Sequence, residues 1–162
     1  IKILEKLVTM QIPLWQKLIG CIVYLIPLSD AIPFGGNLFS QFPILQYIIL
    51  PALPIILIER IIPFGGFILF LGLFIGVIRN QKIPYFIRFN SLQALLIDII
   101  LILLGYAFQI LFTGLRGTTL IATLSSTIFI AMLSIIIFTS IECLKGTEPD
   151  LPGISEAVKI QL

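Results

Sequence analysis

The chain has no histidine. That removes the Ser-His-Asp triad, the Cys-His nucleophile, His-ligated haem and His metal sites. Cysteine is nearly absent. Cys21 and Cys143 stand far apart without metal-ligand spacing, and read as apolar thiols packed in or near a membrane. Charge is scarce too: 11% of residues are charged, against about 25% in a soluble domain. What fills the chain instead is apolar, at 59% hydrophobic residues and a mean hydropathy of +1.16. So few polar side chains cannot cover a water-facing surface, so the solvent is the bilayer. No nucleophile with a base is recognisable, so no enzyme, metal or cofactor is expected, and no nucleic-acid partner.

Residues 1–13 place Ile3, Leu4, Leu7 and Val8 on one helical face and Lys2, Glu5 and Lys6 elsewhere. This pattern predicts an amphipathic helix on the membrane surface. The membrane domain is expected over 14–141, with spans at about 14–30, 61–78, 92–113 and 120–141. The first is short, roughly 22 Å at about 1.5 Å per residue. Residues 142–162 are polar and read as a mobile tail. Pro43–Ile58 is apolar but carries Pro51 and Pro54, which disfavour an unbroken helix. The pentapeptide Ile-Pro-Phe-Gly-Gly occurs at 32–36 and at 62–66, but the copies diverge beyond it and no internal repeat is inferred.

Positive charge decides the topology. With four spans, the N-terminal segment (Lys2, Lys6, Lys17), the central loop (Arg79, Lys82, Arg88) and the tail (Lys145, Lys159) share one side. The other side has Arg60, beside Glu59, and Arg116. A crossing by Pro43–Ile58 would destroy this bias. The positive-inside rule therefore predicts an all-α polytopic protein with four transmembrane helices, both termini on the cytoplasm-equivalent side, and a proline-broken re-entrant or interfacial segment.

Asp98 is the acid inside a predicted span. It either pairs with an interfacial Arg, takes a hydrogen bond or a proton, or lines a polar path. Gln93 and Gln109 are similarly open. Thr119, Thr123, Ser126 and Ser134 fall near one face, which suits close helix packing more than a pore lining. By composition the central loop is an interfacial anchor, with aromatics at the lipid headgroups and cations beyond.

The order of residues there says more. Phe86-Ile-Arg-Phe-Asn-Ser-Leu-Gln-Ala94, followed by Leu95-Leu-Ile-Asp98 and preceded by Val77-Ile-Arg-Asn80, closely resembles the signature of the Tic-twenty family. Tyr24-Leu-Ile-Pro-Leu-Ser-Asp30, Leu38-Phe-Ser-Gln-Phe-Pro43, the Pro51/Pro54 pair and Pro63-Phe64 follow the same pattern in order. Ser91 and Leu92 are conservative departures. The resemblance covers about Cys21 to Leu104 and implies a plastid-encoded or cyanobacterial-type member. It implies a small four-span subunit of the protein import translocon at the chloroplast inner envelope, with stromal termini. Its partners would be other translocon subunits, precursor proteins in transit and membrane lipids. Arg79, Asn80, Arg88, Phe89, Asn90 and Gln93 are then the expected precursor or partner contacts, with Asp98 and Gln109 as buried polar residues. The alternative is a structural subunit or assembly factor of another plastid membrane complex. A solute transporter would want midplane ligands and repeat symmetry, and neither is evident.

Overall fold

A computed structural model describes residues 1–4 and 12–162. Most of the expected amphipathic helix at 1–13 lies outside them. The described residues are helical with no strand. In chain order they form α1 (Leu14–Ile22), α2 (Leu25–Ala31), a 3₁₀ turn (Ile32–Gly35) and α3 (Gly36–Gln41). A second 3₁₀ segment (Pro43–Ile48) runs into α4 (Ile49–Ile61), and α5 (Gly65–Leu73) continues as a π-helical turn (Phe74–Ile78). Two long helices, α6 (Tyr85–Leu111) and α7 (Thr119–Lys145), and a short α8 (Ile154–Gln161) complete the chain.

Among the described residues, four stretches are long and apolar enough to cross a membrane: Leu14–Gln41, Pro43–Ile61, Tyr85–Leu111 and Thr119–Lys145. Gly65–Ile78 is shorter. The expected weak and strong segments are thus exchanged in length. Pro51 falls in the first turn of α4, where proline is tolerated, and α4 continues through Pro54. The break comes instead at Ile62–Phe64, where Phe64 takes a left-handed conformation at φ 58°.

Side-chain contacts fix which helix ends lie together. Gly20 faces Phe86, Asn90 and Cys143. At the opposite end Phe34 packs edge-on against Phe108 at 5.6 Å, and Phe39 against Phe129 at 5.2 Å. The Ser125 hydroxyl donates to the Phe34 carbonyl at 2.9 Å. The stretch α1–α3 therefore runs alongside α6 in the same direction and antiparallel to α7. Gln41 lies at the second end, whereas Ile78 lies at the first, where its carbonyl accepts from Arg88 Nε at 2.8 Å. Between them the chain makes one net traverse of the bundle, and makes it with two helices, α4 and α5. Their junction lies partway down, where the Glu59 carboxylate meets the Ser29 hydroxyl at 3.5 Å.

Helices in lipid are held by close packing and by hydrogen bonds rather than by a hydrophobic drive. Tyr24, Leu28, Phe34, Phe39, Leu101 and Phe129 fill the space between α1–α3, α6 and α7. Ile78, Phe89, Leu92, Leu95 and Val158 form a second core under α5 and α8. A Cβ on Gly35 would fall 2.8 Å from the Phe39 ring and 3.0 Å from Phe129. Gly35→Ala is expected to cost about 1–3 kcal/mol by overpacking. Thermal melting in detergent checks this; Gly36→Ala, with no atom within 4 Å of its Cβ, is the control that should not move.

Residues 142–162 depart from expectation. They are docked, not loose. Leu151, Ser155 and Val158 are buried, and α8 packs against α6. The reason is a polar contact that no local pattern announces.

Candidate functional site: a polar brace and an acid-lined cavity

At the first end of the bundle a buried hydrogen-bond network ties four parts of the chain together. The Tyr24 hydroxyl donates to Asn90 Oδ1 at 2.9 Å. Gln93 Nε2 donates to the Tyr24 oxygen and to the Pro149 carbonyl, both at 3.1 Å. The Ser155 hydroxyl donates to Gln93 Oε1 at 2.7 Å and accepts from the Leu151 amide at 2.7 Å. Asn90 Nδ2 donates to the Phe86 carbonyl at 2.8 Å, and the Cys143 thiol lies 3.0 Å from Asn90 Oδ1. Asn90 and Gln93 stand three apart, on one face of α6. Each amide uses donors and acceptor together, as a buried amide must.

Above this brace lies a cationic rim. Arg79 and Lys82 are exposed in the loop between the π turn and α6. Arg88 is half-buried, and its guanidinium covers a carbonyl left open at the end of the π turn, a favourable place for a cation. Arg79, Gln81, Arg88 and Gln161 line a cavity of about 270 Å³. Lys17, Lys145 and Lys159 belong to the same end, whereas Arg116 lies at the other.

Deeper in the bundle, Asp30 from α2, Glu59 from α4 and Asp98 from α6 line one cavity of about 550 Å³, walled by Phe67, Phe70, Ile102 and Tyr106. Asp98 is only 7% exposed, and its Oδ1 is buried without a hydrogen-bond partner. Among the described residues no group of His, Cys, Asp or Glu has the arrangement of a metal site.

The placement divides the residues singled out in the sequence. Phe89, Asn90 and Gln93 are wholly enclosed. Arg79 reaches the surface, and Asn80 and Arg88 reach it in part. Asp98 joins the acid-lined cavity, while Gln109 is exposed beside an adjoining cavity of about 390 Å³ that shares Asp30, Ile102 and Tyr106 with it. Thr123, Thr127 and Ser134 bond to carbonyls of their own helix, whereas Ser125 and Ser126 reach across to Phe34 and Asn37. Sequence reasoning missed Tyr24 and Ser155 as brace members, and Asp30 and Glu59 as partners of Asp98. The available signal was a carboxylate within reach of each of three spans.

Residues 6–158 match the family described as "Chloroplast import apparatus Tic20-like". A "Tic20 family protein" of Synechocystis is 38% identical over 148 residues, covering 91% of this chain and 92% of the relative. "Protein TIC 20-v, chloroplastic" of Arabidopsis thaliana is 33% identical over 150 residues, covering 91% of this chain and 71% of the relative. "Protein TIC 20, chloroplastic" of Pisum sativum is 26% identical over 153 residues, covering 91% and 59%. The signature around Arg88 and Asn90, the helical membrane bundle and a family match over nearly its whole length place this chain in the Tic20 family.

Proposed function

We propose that the chain is a subunit of the protein import translocon of the plastid inner envelope, and that with other subunits it scaffolds or forms the path of precursor proteins. The observation that carries this reading is the family match over residues 6–158. The cationic first end supports stromal termini, because positive residues stay on the side from which a membrane protein is inserted. Pro43–Ile61 and Gly65–Ile78 serve as one split crossing, so Pro43–Ile58 enters the bilayer without returning to the side it came from.

Arg79, Asn80 and Arg88 are the proposed contacts for precursors or partner subunits. Phe89, Asn90 and Gln93 act beneath them by holding the α6 end in place. The interior between α1–α3, α6 and α7 is filled by Tyr24, Leu101 and Phe129. A lone chain of this kind offers a flank, not a bore, so a path needs other subunits to complete it. The filled interior also favours the second reading, a structural subunit or assembly factor that never touches a precursor.

Photo-crosslinking in native plastid membranes separates the two. A probe at Lys82 and another at Leu53, both exposed positions, are combined with a precursor arrested halfway through import. Adducts that need the arrested precursor are expected at Lys82. Adducts to the same fixed neighbours with and without precursor would overturn precursor contact and leave the structural role.

A further inference from the structure

Three carboxyl groups from three different helices meet in one cavity inside a membrane domain. Asp30 stands beside Asp98, and Glu59 stands beside Asp30 and the Ser29 hydroxyl. Ionised carboxylates inside a bilayer are expensive and pair with something. No lysine or arginine among the described residues lines this cavity. Arg60, next to Glu59 in sequence, is exposed and is not part of the wall. The buried Oδ1 of Asp98 takes no bond from a nitrogen or hydroxyl, and the group within hydrogen-bond reach of Asp98 is the Asp30 carboxyl.

The shape of the cavity narrows the occupant. The carboxyl arrangement is not that of a metal site. The mouth is bordered by Phe67, Ile102 and Tyr106, all exposed on the lipid-facing surface between α5 and α6. A side chain carried by a neighbouring transmembrane helix would enter directly through this apolar mouth, whereas a free ion would have to cross it or come by the adjoining cavity that Gln109 and Ser125 line. The walls are aromatic and aliphatic around an acidic floor, which suits an apolar stem ending in a cation.

We infer that the Asp30–Glu59–Asp98 cavity is a socket for a lysine or arginine side chain presented by a transmembrane helix of a partner subunit. The stem lies against Phe67, Phe70 and Ile102, and the cation reaches the carboxylates. This deepens the reading of the chain as one subunit of a larger complex, but it makes no use of precursor contact. Its failure therefore leaves the crosslinking result standing, and the reverse holds too.

The test uses the intact chain in lipid nanodiscs and a labelled polyleucine transmembrane peptide with one lysine at its midpoint. Association is read by energy transfer to a donor on Lys82. The lysine peptide is expected to bind at least tenfold more tightly than an all-leucine peptide or one with a central glutamate. The combined Asp30→Asn, Glu59→Gln and Asp98→Asn variant is expected to abolish that preference. Equal binding of the lysine and leucine peptides overturns the socket, as does a preference that survives in the variant. Protease resistance of residues 147–153 reports whether the variant is folded. If it is not, infrared spectroscopy of the unaltered protein decides. Carboxylic-acid carbonyl absorption is expected to fall when the lysine peptide is added, and an unchanged band means a purely protonated cluster and sinks the idea. Loss of that band with potassium chloride alone would assign the cavity to a free cation and equally overturn it.

Discussion

Replacing Gln93 by leucine is expected to release the last part of the chain while leaving the bundle inserted. Gln93 is the one side chain that links Tyr24, the Pro149 carbonyl and Ser155. Leucine fills a similar volume but offers no polar atom. The Pro149 carbonyl and the Ser155 hydroxyl then each lose a buried partner, at about 1–3 kcal/mol apiece. Ser155 can still donate to the Pro149 carbonyl at 3.0 Å, which softens the loss. A net cost of about 2–4 kcal/mol follows. It falls on the weakest-held element, because α8 is eight residues long and cannot persist as an isolated helix. Hydrogen exchange at Ile154–Gln161 should accelerate by roughly a factor of 30 or more, since about 1.4 kcal/mol is tenfold. Exchange in α6 and α7 should stay slow. Unchanged protection of α8 would show that the network is not what docks it. Ser155→Ala is expected to give a smaller change in the same direction.

Gly65→Ala carries the other large effect. A Cβ at Gly65 would run into the Ile58 carbonyl oxygen and approach the Glu59 Cα to 2.8 Å. Both are backbone atoms, so no rotamer change relieves the clash. The α4–α5 turn must open, and the Gly65 amide then loses its 2.8 Å bond to the Ile62 carbonyl. A cost of about 3 kcal/mol is expected, at the upper end for overpacking. Gly66→Ala meets only the Glu59 side chain, at 3.9 Å, and is expected to be neutral or slightly stabilising by removing a glycine from a helix. Thermal melting in detergent, with both variants side by side, gives the contrast. Equal melting temperatures would mean that the turn yields easily and that the tight packing has no energetic weight.

The two glycine positions bear on how much could be read from the sequence. Ile-Pro-Phe-Gly-Gly occurs twice, at 32–36 and 62–66, in copies that diverge beyond it. In the structure both copies interrupt a helical run, and the first glycine of each is enclosed while the second has room. The pentapeptide is a local device for bending the chain, used twice, rather than the trace of a duplicated domain. Local chemistry of this kind is legible. So were the helical membrane class, the turn around Arg79 to Arg88, and the motif that carries the family likeness.

What escaped was set by partners far away in sequence. The brace joins Tyr24 to Gln93 across 69 positions and Gln93 to Ser155 across 62. No periodicity in residues 142–162 signals that Ser155 has a buried acceptor waiting. The prolines misled for another reason. By residue type Pro51 and Pro54 suggest a broken helix, but Pro51 lies in a first turn and α4 absorbs Pro54. The actual break needed Phe64 in a left-handed conformation, which an aromatic residue does not advertise.

Unequal edges follow from the split crossing. Gly65–Ile78 is a helical stretch of 14 residues and covers about 21 Å, whereas α6 and α7 are 27 residues each and cover about 40 Å. The hydrocarbon layer is about 30 Å thick. Gly65–Ile78 shares its crossing with α4, so the long helices are the ones that exceed the layer, and the lipids beside them are stretched or the helices tilt. Each ångström of mismatch costs a fraction of a kcal/mol. The least costly neighbour for α6 and α7 is one whose own helices are as long, so the bilayer itself helps to choose what stands there.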